Sequence, residues 1–192
     1  VGLWTRSCGA WIRRLCGRTG VRRGRRKKDE GEPPDHALGR SRGGFSTKIH
    51  VVCDGTGVPL HVEVTGGQVS EAQAFPKVYD GAEASLTDEN GEPIARPQKL
   101  ASDEAYRSDA IDQFLLSRDV TPVIPSRSGQ CRSRRPVAFD RDAYRRRNVV
   151  ERLVGRLKEF RRVAIRYEKN AVHFKAMIML AMIVICLRLL TG

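Results

Sequence analysis

Regular alternation of apolar and polar residues begins near Phe45. In FSTKIHVVC, Thr47, Ile49, Val51 and Cys53 alternate with Lys48 and His50, the period of two of a half-buried strand. Asp54-Gly55-Thr56-Gly57 carries turn residues. A second alternating run follows, with Leu60, Val62 and Val64 on one face and His61 and Glu63 on the other, so the two runs predict a β-hairpin. Ser70 and Gln73 have the spacing of a capping box for a helix toward Ala84, with Pro76 in its first turn or kinking it.

After a polar loop over 85–98, Lys99-Leu100-Ala101-Ser102 reads as a short strand. Ser108 then caps a helix carrying Ile111, Phe114 and Leu115, and Val120 to Ile124 reads as another strand. An Arg/Ser/Gly loop spans 126–136, and two helices, about 140–163 and 171–190, finish the chain. The order of hairpin, helix, strand, helix, strand and helices predicts a mixed α/β domain whose helices cover a central sheet, with a strand missing in front. The apolar run from Ala176 to Leu187 is too short for a membrane span of about 20 residues, and Lys175 and Arg188 bracket it. A buried core helix is the expectation, without a membrane role.

Charge changes the picture. The 192 residues hold 35 Lys and Arg against 22 Asp and Glu, a formal net charge of +13. Such a chain attracts polyanions, nucleic acid foremost, and the dominance of Arg over Lys favours phosphate recognition. The five cysteines (Cys8, Cys16, Cys53, Cys131, Cys186) form no C-x-x-C and no zinc spacing. An odd count without a framework predicts reduced thiols and a cytoplasmic protein. Arginines interrupt every apolar stretch near the N-terminus, which excludes a signal-peptide core. Residues 1–28 hold no acidic residue and no clear period. They read either as a basic arm that clings to DNA or as sequence out of frame from GC-rich DNA. Residues 29–44 read as a linker.

The helix from Asp140 onward carries the chemistry. Tyr144, Arg147, Glu151 and Lys158 fall within about a 60° arc of one helical face. Val149, Val150, Leu153, Val154, Leu157 and Phe160 occupy another arc, so one face is buried while the other presents a tyrosine, two cations and a carboxylate. Solvated surface charge is the plain alternative. The ordered pattern Y-x2-R-x3-E-x6-K arises by chance on the order of one time in a thousand.

This pattern resembles the signature of bacterial insertion-sequence DDE transposases. His36 to Leu60 resembles the second-and-third-strand region of that family, and LASDEAYRSDAI resembles the segment bearing its second catalytic aspartate. In all, residues 31–190 resemble it. The resemblance implies a ribonuclease-H-like fold, with a catalytic domain over 31–192 preceded by a basic irregular arm or out-of-frame segment over 1–30. It also implies Asp103 and Glu151 as catalytic metal ligands for Mg²⁺ or Mn²⁺, and Tyr144, Arg147 and Lys158 as DNA-binding residues. Double-stranded DNA and a homo-oligomer assembled on it are the implied partners.

There are two departures. Glu104 stands where a basic residue is often found, and no residue fits the family's first aspartate, which lies on the strand before the hairpin. Asp29 and Asp35 sit too close to Pro33 and Pro34, and Asp54 is explained by its turn. The expectation is therefore a transposase catalytic domain impaired when alone. Two rivals remain: a non-catalytic DNA-binding fragment, and a metal-dependent nuclease of the same fold.

Overall fold

A computed structural model of the chain describes residues 36–41, 44–92, 94, 96–126 and 136–191, and the backbone of 10–19. Its strands are β1 (Ala10–Thr19), β2 (Gly39–Ser41), β3 (Gly44–Cys53), β4 (Pro59–Gly66), β5 (Lys99–Ser102), β6 (Thr121–Val123) and β7 (Ile165–Arg166). Its helices are α1 (Glu71–Ala84), α2 (Asp109–Leu116), α3 (Arg141–Arg145), α4 (Asn148–Glu159), α5 (Arg161–Ala164) and α6 (Ala171–Leu190).

The main sheet runs β4-β3-β1-β5-β6, with β2 and β7 as short additions. β3 is antiparallel to both β1 and β4, whereas β5 lies parallel to β1 and β6 parallel to β5. In sequence terms the main strands are ordered third, second, first, fourth, fifth, and the βαβ crossovers carry α1 and α2. This mixed sheet is the ribonuclease-H-like arrangement.

The expectation that the first strand is missing is overturned. Ala10–Thr19, expected to be an irregular arm, pairs with β3 from Trp11–Cys53 to Arg18–Ser46. The cause is backbone hydrogen bonding: without this strand, β3 and β5 would each leave a row of amides and carbonyls unpaired inside the domain.

Two helical layers cover the sheet. On one face α4 and α6 pack Val150, Leu153, Leu157, Phe174, Ile178 and Ile185 against Ile49, Val51, Cys53 and Val62. On the other, α1 and α2 pack Phe75, Val78, Ile111 and Leu115 against Val52 and Leu100. Lys48 and His50, expected on a polar face, are therefore buried. Each has found partners: Lys48 lies 3.0 Å from Glu71 and donates to the Val69 carbonyl, while the His50 ring nitrogens meet the Tyr106 hydroxyl at 2.7 Å and the Thr65 hydroxyl at 2.9 Å. Leu60 also departs from expectation. The β4 register skips it between Val52–His61 and Cys53–Pro59, and this bulge turns Leu60 toward the α1 side, away from Val62.

Cap chemistry sets the helix starts as expected. Ser70 and Gln73 form the capping box of α1, and Ser108 accepts from the Ile111 amide at 3.2 Å. Of the two positions expected for Pro76, in the first turn of α1 or inside the helix as a kink, it takes the interior one, in the second turn. The long helix expected over 140–163 is divided into α3, α4 and α5. α6 is not the buried helix expected. Phe174, Ile178, Ala181, Met182 and Ile185 are buried, but eight large apolar residues of the helix are exposed, most of them on the opposite side. The C-terminal helices give it only one neighbouring layer, so half of an all-round apolar helix faces outward. It is the one helix among the described residues long and apolar enough to cross a membrane.

The largest fully buried side chain is Arg166. Its guanidinium donates to the carbonyls of His36 (2.6 Å), Ala37 (3.2 Å), Glu168 (2.8 Å) and Lys169 (2.8 Å), and to the Thr47 hydroxyl (2.6 Å). This fork ties the approach to β2, the start of β3 and the turn before α6 into one corner. Replacing it strands several buried acceptors. Arg166→Met is expected to destabilise the domain by roughly 3–5 kcal/mol, measured as a drop in the urea midpoint at unchanged m-value. A loss below about 1 kcal/mol would show that the corner holds without its fork.

Candidate functional site

The site forms where β5 ends and α4 begins. Ser102 closes β5, and Asp103 leaves the strand in extended conformation, its carboxylate accepting from the Ala105 amide as cap of the turn Glu104–Tyr106. Capping occupies one carboxylate oxygen site and fixes the direction of the group without removing its remaining acceptor capacity. Asp103 is half-buried and Glu104 exposed.

Tyr144 lies on α3, whose first turn is capped by Asp140 accepting from the Ala143 amide at 2.9 Å. Lys99 of β5 holds Asp140 at 2.7 Å, which ties the strand to the helix start. The Ala143 hydrogen bond first, and then Lys99, keep the Asp140 carboxyl below the ordinary carboxylate range. Between α3 and α4 the backbone tightens: Arg146, Arg147, Val149 and Val150 each donate three residues back. Three-residue spacing eclipses side chains. The Arg147 guanidinium accordingly sits 5.0 Å from the centre of the Tyr144 ring, which Phe139 flanks from another side at 5.3 Å.

Arg147 also pairs with Glu151 at 2.9 Å, a bond spanning one helical turn. Glu151 is about two-fifths exposed, whereas Val150, Leu153, Val154 and Leu157 are buried against the sheet. That buried stripe fixes the rotation of α4 and turns Glu151 out of the core. Lys158 lies two turns further along and is exposed, about 10 Å from Glu151 along the axis.

The Tyr144 phenol registers the convergence of these groups. Burial pushes its pKa up most strongly and Arg147 draws it down; the charges of Asp103, Glu151 and Glu104 each raise it. Asp103, about forty residues away in sequence, thus acts on the same phenol as Arg147 and Glu151, which lie within two helical turns of it, whereas Lys158 is not among the charges that do. Glu104 joins the cluster as well. Its adjacency to Asp103 was the only sequence signal for that.

The first carboxylate is a different matter. β1 occupies the strand on which the resemblance puts it, yet AWIRRLCGRT contains no acidic residue. Its parallel register with β5 sets Ile12 beside Ser102, with Arg13 next in line toward Asp103. Asp54 is held in its turn, its carboxylate accepting from the amides of Thr56, Gly57 and Val58 at 2.8–2.9 Å. Gly57 there has φ +96°, which favours glycine. Among the described residues no group of three or more His, Cys, Asp or Glu side chains is arranged to hold a metal ion.

The mixed sheet, with carboxylates at the end of β5 and on α4, places the chain among ribonuclease-H-like domains. Residues 18–186 match the family described as Transposase DDE domain. The chain belongs to the DDE transposase family, whose members are DNA phosphoryl-transfer enzymes. It is 32% identical over 165 residues to a Burkholderia cepacia protein named as a transposase for insertion sequence element IS402, covering 86% of this chain and 71% of that one. It is 29% identical over 144 residues to a Brucella ovis protein named as a transposase for element IS6501, covering 75% of this chain and all of that one. Similar solved structures include the Mos1 strand transfer complex, with 15% identity and TM-score 0.37 over 67% of this chain. A piggyBac synaptic complex with hairpin DNA has 18% identity and TM-score 0.39 over 71% of this chain. The chain spans 37% and 29% of those two structures' chains.

The convergence has a readout of its own. Asp103→Asn and Glu151→Gln are each expected to lower the ionisation midpoint of Tyr144, because each removes a negative charge that opposes phenolate formation. Arg147→Met is expected to raise it. Ultraviolet titration, with Tyr144→Phe subtracted to isolate this phenol, measures the shifts. An unchanged midpoint in both carboxylate variants would separate Asp103 and Glu151 from Tyr144.

Proposed function

We propose that this chain carries the DNA-cleaving and strand-joining site of an insertion-sequence transposase in an incomplete form. Asp103 and Glu151 are its metal ligands, and Tyr144, Arg147 and Lys158 position DNA. The observation that supports this reading is the meeting of both carboxylates with Tyr144 and Arg147 in a chain of this family. The donor set fits one hard divalent cation, Mg²⁺ or Mn²⁺, which takes oxygen ligands and retains waters. It falls one carboxylate short of the three that the family pattern calls for. When bound, such an ion supplies Lewis acidity at phosphorus and activates the attacking oxygen.

The chain's own residues do the rest. Arg147 neutralises Glu151 at 2.9 Å. Glu151 would help hold the cation, and the planar guanidinium of Arg147 beside it suits bidentate contact with a phosphate. Tyr144, held by Phe139 and Arg147, offers a fixed hydroxyl at the rim, and Lys158 offers a point charge about two turns along the same helix. Double-stranded DNA at the element's ends and at the target is the substrate, with a homo-oligomer assembled on it in the cytoplasm. Lys and Arg in the basic helix layer make mostly phosphate contacts. The 126–136 loop and the basic arm, also expected to touch DNA, fall largely outside the described residues.

Asp103→Asn and Glu151→Gln are each expected to weaken Mn²⁺ binding by at least ~10-fold with the fold intact. Calorimetry and circular dichroism check the two halves of that statement. Arg13→Asp, which puts a carboxylate next in line with Asp103, is expected to tighten Mn²⁺ binding and to raise strand transfer on end-bearing DNA by ~100-fold or more. Equal and robust strand transfer by the unaltered chain would overturn the incompleteness. DNA binding is expected to weaken steeply with salt, and Lys158→Ala to shallow the log–log slope by about 1. Binding insensitive to salt would contradict a phosphate-dominated interface. Cleavage without preference for element ends would favour the nuclease reading.

A further inference from the structure

The exposed side of α6 is apolar apart from His173 and Arg188 at its margin. Val172, Ala176, Met179, Ile183 and Leu190 face outward, with Leu180 and Leu187 beside them and the half-buried Cys186 on the other flank. Val172 is 71% exposed, Ile183 55% and Leu190 82%. The spacing of Val172, Ala176, Met179, Ile183, Cys186 and Leu190 is four, three, four, three, four: the seam of a helix pair. This stripe lies opposite the buried row Phe174, Ile178, Ala181 and Ile185, and no charged side chain interrupts it.

We propose that this stripe is the contact surface for a second copy of the same chain, with the two α6 helices antiparallel about a twofold axis. The self-complementarity of the seam carries the argument. Turned end to end, Val172 meets Leu190 of the mate, Ala176 meets Cys186, and Met179 meets Ile183. Small residues then lie between two pairs of larger ones, and every contact occurs twice, as an isologous interface requires. Antiparallel pairing also sets the two helix dipoles in opposition. The exposed apolar side chains of the stripe and its Leu180–Leu187 flank amount to roughly 700 Å² per copy, toward the lower end of what one partner of a standard interface buries. Beside the stripe an apolar groove of about 230 Å³, lined by Phe160, Val163, Met177, Leu180 and Val184 with the stems of Arg161 and Arg162, extends the surface toward α5.

A bilayer is a poorer occupant. The opposite side of α6 is already committed to the domain core, so the helix cannot enter lipid without dismantling it. DNA is excluded by the absence of cations on the stripe. The pairing supplies the surface for the self-association proposed above and rests on that reading only for its relevance to transposition, so it is tested without DNA.

Sedimentation of the purified chain is expected to show a concentration-dependent dimer. Ile183→Glu puts a charge in the seam and is expected to raise the dissociation constant by ~100-fold or more, with an unchanged circular dichroism spectrum because the position is half exposed. Met179→Glu serves as the second variant. Ala176→Cys, treated with a thiol oxidant, is expected to give a covalent dimer that disappears when Cys186→Ser is added. A monomer at tens of micromolar, a dimer indifferent to both glutamates, or no Cys186-dependent cross-link would overturn the proposal. So would flotation of the chain with phosphatidylcholine–phosphatidylglycerol vesicles that Ile183→Glu abolishes while the chain in solution stays monomeric.

Discussion

The backbone ladder of β1 holds the two halves of the domain together. On one side it pairs with β3 over eight residues, and on the other it runs parallel to β5 and, at its far end, to β7. The hairpin β3–β4 and the β5–α2–β6 unit touch the same sheet only through this strand. Removing it would leave two unpaired edges beneath the helical layers, and each buried unmade hydrogen bond costs about 1–3 kcal/mol. The position of Asp103 follows from that pairing, because the end of β5 is registered against Ile12.

What was legible in the sequence and what was not divides along the range of the interactions. The hairpin, the Ser70 capping box, the Ser108 cap and the turn at Asp54 are local, and each was readable from a few consecutive residues. The Tyr144–Glu151 face was readable for the same reason, since neighbours three and four apart on a helix meet without help from the rest of the chain. β1 was not legible: Arg13-Arg14 breaks the period of two, and a central strand covered on both faces need not alternate. The burial of Lys48 and His50 depends on Glu71, Tyr106 and Thr65, which no local pattern connects to them. The outward half of α6 had no sequence signal either, because an all-round apolar helix does not say how many of its sides will find a neighbour.

The same contrast governs how α4 serves the site. Four buried aliphatic side chains fix its rotation, and β5 fixes the loop that faces it. Glu151 and Asp103, whose charges both act on the Tyr144 phenol, sit on elements placed by the packing of other residues. Asp103 caps the turn Glu104–Tyr106, a role that asparagine can also fill, and the ion pair of Glu151 with Arg147 is partly exposed and modest in worth. The two positions are therefore open to substitution without loss of the fold.

That independence separates what the architecture requires from what the proposed site requires. A strand in mid-sheet is specified chiefly by its amides and carbonyls, which every residue but proline supplies in full. AWIRRLCGRT contains no proline, and it completes the ladder. A metal ligand is specified by one side chain at one register position, and no neighbour can supply the oxygen from elsewhere. At that place β1 brings Ile12 and Arg13. The ladder forms alike whichever side chains stand there, so the pairing of β1 carries no information about the ligand.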